Sequence, residues 1–180
     1  MAEAINDKKS DILIPWTTPQ TWRAVNRALK FHQRFYHREF EMAAAMAQKM
    51  KLCLESIYST LDELCIDSCP WCPEPCCLKA TVWFDFKDLL FLHFNQQPIP
   101  PAQPKANLGM PCRYLGPRGC RLPRLARPWI CTWYICPTQT AKLRNGQQEK
   151  RKLINRAMAQ IKSERNLLEN EFIRIVSKAI

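Results

Sequence analysis

The N-terminal third of the chain carries apolar residues at the spacing of a helix that buries one face. From Leu29 onward, apolar positions recur in alternating steps of three and four, which is typical of a helix that packs along a partner helix. Thr18 is a good N-cap, and Pro19 suits the first helical position. We therefore predict a lead-in over 1–18 and one long helix over 19–64. No glycine or proline interrupts that helix after Pro19, although ~65 Å is long for a globular helix and leaves room for a break.

A second amphipathic pattern occupies segment 138–180. Pro137 and Thr138 again mark a helix start, and Gly146 is the residue of the segment that favours an interruption. Neither amphipathic helix can bury its apolar stripe alone, so the pattern predicts a mainly α fold of two long antiparallel helices packed together. Dimerisation through the same stripes is the alternative. The C-terminal stripe consists of Leu153, Ile154, Ala157, Met158, Ile161, Leu168, Phe172, Ile175, Val176 and Ala179.

Segment 65–137, between the two predicted helices, has a different composition. Most of the prolines of the chain lie here, so we predict a loop-dominated segment at one end of the helical pair. Two short elements fit inside it. The β-branched and aromatic run Lys79–Phe84 favours an extended arm or a short strand. Asp85 is placed to cap a helix over Phe86–Phe94.

The same segment holds eight clustered cysteines in two blocks. Cys69 and Cys72 have the Cys-x2-Cys spacing that lets two thiolates reach one metal ion. Cys76 and Cys77 are adjacent, and because neighbouring side chains point in different directions, the pair favours two metals or two atoms of one cluster. The second block spreads its thiols over a longer stretch. The predicted metal ligands are Cys69, Cys72, Cys76, Cys77, Cys112, Cys120, Cys131 and Cys136.

Thiolates are soft ligands that favour zinc, copper(I) and iron–sulfur clusters. A tetrahedral zinc site and a cubane cluster each take four of them, so the eight fit two such sites, or one site with additional redox thiols. Cys65 lies four residues before Cys69 and is an open candidate for a ninth ligand. Cys53 lies inside the long helix and fits a small buried residue.

The order of these motifs resembles the YkgJ-type family of zinc- or iron-chelating domains. The resemblance covers residues 65–137, and its one departure is a spacer of three residues before Cys76, longer than is common in that family. Members of the family are often labelled iron–sulfur proteins, and a similar domain occurs in a flagellin lysine methylase. The resemblance implies an iron–sulfur cluster of the 4Fe–4S type or an iron centre, with zinc as the alternative. The matching motifs are Cys69-x2-Cys72, Cys76-Cys77, Cys112-x2-Leu115, Gly119-Cys120, Arg127-Pro128-x2-Cys131 and Cys136.

Arginines are frequent around the second block. Thiolates around an iron–sulfur core leave a net negative site, which arginines can offset while donating N–H groups to sulfur. We predict Arg127 as the cofactor-binding member, and a solvated or phosphate-binding face is the alternative for the whole set. The set comprises Arg113, Arg118, Arg121, Arg124 and Arg127.

Composition narrows the function further. The formal charge of +11 favours acidic partners such as nucleic acid. Ten cysteines without the apolar N-terminal core of a secretory signal predict the reducing cytoplasm, with a disulfide-stapled domain as the alternative. No run of ~18 apolar residues is present, so no membrane span is predicted. There is no phosphate-cradling glycine loop, nucleophile elbow or haem-attachment motif, which disfavours those enzyme classes.

The sequence therefore predicts a metal-binding protein with a redox, electron-transfer or metal-handling role and a protein or redox partner of unknown identity. One alternative is a structural zinc module that binds nucleic acid or a protein. Another is an accessory domain of a methylase-like enzyme. No catalytic residue is predicted, and whether the chain is an enzyme is open.

Overall fold

Helices make up most of the described chain, which confirms the prediction of a mainly α fold. The computed structural model describes residues 13–107, 109–117 and 119–178, so most of the predicted lead-in and the last stripe residue, Ala179, lie outside the described residues. The helices are α1 Pro19–Phe35, α2 Glu41–Glu55, α3 Tyr58–Ser68, α4 Cys76–Lys79, α5 Phe86–Phe94, α6 Ile130–Trp133, α7 Pro137–Arg144 and α8 Gln148–Ser177. The strands are β1 Leu115–Gly116 and β2 Gly119–Cys120, with a 3-10 turn at Arg124–Ala126.

The segment predicted as one long helix over 19–64 forms three helices. Thr18 caps α1 as predicted, because its hydroxyl accepts from the backbone N–H of Thr21 at 3.2 Å. The first break follows α1, where Tyr36 leaves helical geometry, and it allows the buried Phe40 ring to stack on Phe172 with centroids 5.2 Å apart. The second break lies at Ser56, whose hydroxyl donates to the carbonyl of Cys53 at 2.8 Å.

The later a residue lies in the segment of the first three helices, the earlier its contact lies in α8. Phe40 packs on Phe172, Lys49 near the middle of α2 pairs with Glu164, and Lys150 near the start of α8 pairs with Glu63 at 2.6 Å. Two groups of buried residues result. The larger lies among α1, α2, α5 and α8, and the smaller consists of Ile57, Leu61, Leu64, Leu143, Ile154 and Ala157.

Helix α5 lies at the centre of the larger core, although it belongs to the segment predicted as loop-dominated. The predicted Asp85 cap is confirmed and is completed into a capping box with Asp88, at 2.8 and 3.0 Å. Four consecutive residues, Leu89 to Leu92, are buried, which fits a helix that is covered on several sides.

Of the two forms predicted for the run over 79–84, the strand does not occur: Lys79 ends α4, Ala80 is extended, and residues 81–84 have no regular secondary structure. Instead, the buried side chain of Gln103 occupies the place of a neighbouring strand, because it accepts from the N–H of Phe84 at 2.8 Å and donates to its carbonyl at 3.0 Å. Gly146, with a φ of 86°, separates α7 from α8, so segment 138–180 contains two helices. None of the helices in the described ranges combines the length and hydrophobicity needed to cross a bilayer.

Candidate metal centre

The first cysteine block follows the C-terminal end of α3. Cys69 is the C-cap of that helix, and its N–H donates to the carbonyl of Cys65 at 2.8 Å. Pro70, Pro73 and Pro75 prevent a helix over the next residues, and Cys76 and Cys77 then begin the single turn of α4. Cys69, Cys72 and Cys76 are exposed, whereas Cys77 is half-buried.

The second block lies directly against the first. The backbone N–H of Cys112 donates to the carbonyl of Cys77 at 3.1 Å, which joins the two blocks across more than thirty residues of chain. Cys120 lies in β2, where it pairs with Leu115, and Gly119 supplies the φ of 100° that the tight hairpin requires. The N–H of Cys131 bonds to the carbonyl of Pro128 at 2.9 Å, so the proline fixes the first turn of α6.

Five thiols, from both blocks, interact electrostatically around Cys77 and Cys131. Two further thiols, Cys65 and Cys69, interact with Cys76 as well. Burial raises the pKa of the Cys131 thiol, and repulsion from Cys120, Cys112 and Cys76 raises it further. The hydrogen bond between Cys76 and Cys77 raises the pKa of Cys77, which is raised again by burial and by Cys131 and Cys112. Within the same pair, the pKa of Cys76 is lowered. Several thiolates in one place repel each other, so these side chains favour a cation among them.

Cys65 and Cys69 form a second thiol pair beside the first. The hydrogen bond from Cys69 lowers the pKa of Cys65, burial opposes this, and Arg124 adds to the lowering. The guanidinium of Arg124 donates to the Cys65 sulfur at 3.4 Å and is itself paired with Asp62 at 2.6 Å. The amide of Gln139, from α7, lies 3.8 Å from the Cys65 sulfur and 4.0 Å from that of Cys69.

Two predicted ligands are less closely involved. Cys72 is exposed, and Cys136 is half-buried at the N-cap of α7, where its carbonyl accepts from Thr140 at 2.8 Å. Neither is among the thiols that chiefly raise the pKa of Cys77 or Cys131. Arg127, predicted to bind the cofactor, donates to the carbonyl of Leu122 at 3.0 Å, and it is Arg124 that reaches a sulfur. Arg118, from the same predicted set, lies outside the described residues.

The thiols do not converge on one point. Within residues 13–107, 109–117 and 119–178, no group of three or more His, Cys, Asp or Glu side chains is arranged closely enough to hold a metal ion. The donors fit a thiophilic metal in type and number, because both blocks offer thiols. In each of the two thiol pairs, one member has a lowered pKa: Cys65 beside Cys69, and Cys76 beside Cys77. Closing them around a metal at ~2.3 Å would require side-chain rotation, for which the exposed first block has room.

A buried ionic network connects this region to the helices. Arg165 of α8 donates to Asp88 at 2.6 Å and to both carboxylate oxygens of Asp85, at 2.7 and 2.8 Å. Asp88 also accepts from the N–H of Trp129 at 3.0 Å, two residues before Cys131. The guanidinium carbon of Arg165 lies 5.5 Å from the centre of the Trp129 ring. Helix α8 therefore fixes the backbone just before Cys131, within the second block.

Of the groups around the Cys65 and Cys69 thiols, Cys65 was an open candidate and Arg124 belonged to the predicted arginine set, whereas Gln139 was not foreseen. The i, i+4 spacing of Cys65 and Cys69 on a helix was a usable signal for that pair. No local signal indicates Arg124 rather than Arg127, or the approach of Gln139 from α7. Comparisons with protein-family models, curated proteins and solved structures find no match to this chain.

Proposed function

We propose that this protein holds a metal centre through cysteine thiolates from both blocks and serves a redox, electron-transfer or metal-handling role. The observation that carries the proposal is the hydrogen bond from Cys112 to the carbonyl of Cys77. It places two groups of thiols side by side although the sequence separates them widely. A purely structural loop has no need for so many thiols at one place in a reducing environment.

The ligands we assign first are Cys77 and Cys131, together with the thiols that raise the pKa of these two. Cys69, Cys72 and Cys136 extend the set if the loops close around the metal. An iron–sulfur cluster or iron is the proposed occupant, and zinc is the alternative, since both take thiolates. The resemblance of the two blocks to the YkgJ-type family agrees with this proposal, and we propose membership of that family. The first assigned set is Cys76, Cys77, Cys112, Cys120 and Cys131.

We further propose that the helical pair is the scaffold of the centre, with the cysteine segment at one end. Leu64 of α3 and Leu143 of α7 belong to the same small core, next to the thiol pair of Cys65 and Cys69. The ends of these helices are where the first block begins and the second block finishes.

Anaerobic purification followed by iron, zinc and acid-labile sulfide analysis tests the proposal. The expected result is iron with sulfide and visible thiolate-to-iron absorption, which Cys112→Ser and Cys77→Ser abolish. Cys53→Ser is the matched control, since Cys53 packs against the larger core, and it should leave the metal content unchanged. Stoichiometric zinc without colour would favour the zinc alternative. Protein without any bound metal would contradict the proposal.

A second candidate function, binding of single-stranded nucleic acid, is favoured by helix α1. This helix contains no acidic residue, and four exposed cations share one face at i, i+4, i+7 and i+11. Beside them the exposed rings of Phe31 and Phe35 stack with centroids 5.8 Å apart and an interplanar angle of 19°. Cations for phosphates and aromatic rings for bases are the usual elements of such surfaces. The cations are Arg23, Arg27, Lys30 and Arg34.

Titration of a labelled single-stranded oligonucleotide at several salt concentrations tests this candidate. Binding should weaken steeply with salt, and the Arg27→Gln substitution should reduce the log–log slope by ~0.7 for the one phosphate contact removed. Arg174→Gln, which changes the same charge on α8, is the control. Oligonucleotide binding that does not change with salt concentration, or tighter binding to anionic lipid vesicles than to the oligonucleotide, would contradict this candidate function.

A further inference from the structure

Lys105 is a fully buried cation between the two cysteine blocks. It lies in the proline-rich segment after α5, and only 1% of the residue is exposed to solvent. Its ammonium donates to the carbonyl of Leu78 at 3.1 Å, next to Cys77. The preceding residue, Pro104, accepts from the N–H of Arg113 at 2.9 Å, next to Cys112. The lysine is therefore held from both sides by residues that adjoin the thiols.

Burial of an ammonium group is costly unless an anion compensates it. Long lysine side chains usually reach the surface with their charged end, but this residue is closed off from water. Among the described residues, no carboxylate forms an ion pair with Lys105, whereas nine other basic side chains have such a partner. One carbonyl satisfies a single N–H and leaves the charge itself uncompensated.

The groups beside Lys105 that become anionic when a metal binds are the thiols of the two blocks. Burial raises the pKa of Cys112, and the Lys105 charge is one of the smaller effects that lower it. A hydrogen bond to the Leu78 carbonyl alone requires no charge, because a neutral amide could donate it. The positive charge at this position is explained if the neighbouring site carries negative charge, as a metal held by several thiolates does.

We propose that Lys105 is a positioning residue whose buried positive charge stabilises the metal-bound, anionic form of the thiolate centre. The proposal rests on the proposed function, because it assumes that the two blocks bind a metal. Without metal, the buried charge of Lys105 lowers the stability of the fold. With metal bound, the attraction between this charge and the anionic centre is favourable, which a purely structural core residue would not provide.

Lys105→Met tests this role, since methionine fills a similar volume without charge. We would measure zinc affinity by competition with a chelator, and the urea midpoint of the metal-free protein, under anaerobic reducing conditions. The expected result is a 10- to 100-fold weaker zinc affinity, the size typical of groups that support metal ligands, with a metal-free midpoint equal to or above that of the wild type. Lys142→Met is the control, because Lys142 pairs with Asp67 at 3.1 Å at a more exposed site. The zinc affinity of this variant should stay within about twofold of the wild-type value.

Three outcomes would overturn the proposal. If wild type binds zinc and Lys105→Met binds it equally well, the charge has no role at the centre, and the proposed function is unaffected. If both Lys105→Met and Lys105→Gln fail to fold without metal, Lys105 is a structural residue. If the wild type itself binds no zinc or iron, the metal centre fails, and the role of Lys105 fails with it.

Discussion

Replacing Arg165 by methionine should destabilise the protein strongly, because it leaves a buried carboxylate without its cation. The side chains of Arg165 and Asp88 are each 6% exposed and lie 2.6 Å apart, whereas the side chain of Asp85 is 44% exposed. Removing one partner of such a buried pair costs about 3–5 kcal/mol. A domain of this kind has a free energy of unfolding of ~5–15 kcal/mol, so the change removes a large fraction of it.

The loss should grow with pH. Burial raises the pKa of Asp88 to about 6, and the charge of Arg165 opposes that rise. Without Arg165 the pKa in the folded state rises further above the unfolded value of ~4. A carboxyl with a raised folded pKa contributes fully to stability below its unfolded pKa, and the contribution is lost as pH rises through the folded pKa. Arg165→Met should therefore be less damaging near pH 5 than near pH 8.

Urea unfolding followed by circular dichroism, with chelator and reductant present at both pH values, measures this effect. Arg174→Met is the matched control on the same helix, because Arg174 is half-exposed and pairs with Glu171 at 2.7 Å, and its loss should stay below ~1 kcal/mol. The double variant Arg165→Met with Asp88→Asn should recover part of the lost stability. Equal losses for Arg165→Met and Arg174→Met, or a loss that does not change with pH, would refute the reasoning.

Three further predictions concern the scaffold. Gln103→Ala leaves both backbone groups of Phe84 without their partner and should cost about 1–3 kcal/mol in the free energy of unfolding, with faster amide exchange at Phe84; unchanged exchange would contradict it. Phe40→Ala removes a ring that is 2% exposed and should cost about 3–5 kcal/mol, against less than ~1 kcal/mol for Phe31→Ala at 61% exposed; similar urea midpoints for both would argue against the Phe40 stack. Gly146→Ala forces a side chain into a φ of 86° and should cost about 1 kcal/mol by thermal unfolding, a reasoning that a raised melting temperature would disprove.

Features fixed by neighbouring residues were predictable from the sequence. The caps at Thr18 and Asp85 need only a side chain and an N–H three residues away, so the local pattern was sufficient. The positions of the breaks in the predicted helix over 19–64 were not predictable, because neither break contains glycine or proline. At the first break, the ring of Phe40 packs on Phe172, which lies far along the chain.

The candidate site divides in the same way. Residue type and spacing indicated thiophilic chemistry and the two blocks, because these are properties of short motifs. Which thiols meet, and which charges surround them, depends on loop paths that no local pattern encodes. Cys65 gains Arg124 and Gln139 from distant segments, and the buried Lys105 meets the carbonyl of Leu78, 27 residues before it.

X-ray absorption spectroscopy at the metal edge of anaerobically purified protein tests the central claim most directly. It identifies the metal and its ligands in one measurement, for the wild type and for Cys112→Ser. We predict an all-sulfur first shell at ~2.3 Å, with a metal–metal distance if the centre is a cluster, and loss of this shell when Cys112 is replaced. A first shell of oxygen or nitrogen, or a sulfur shell that is unchanged in Cys112→Ser, would contradict a centre built from both cysteine blocks.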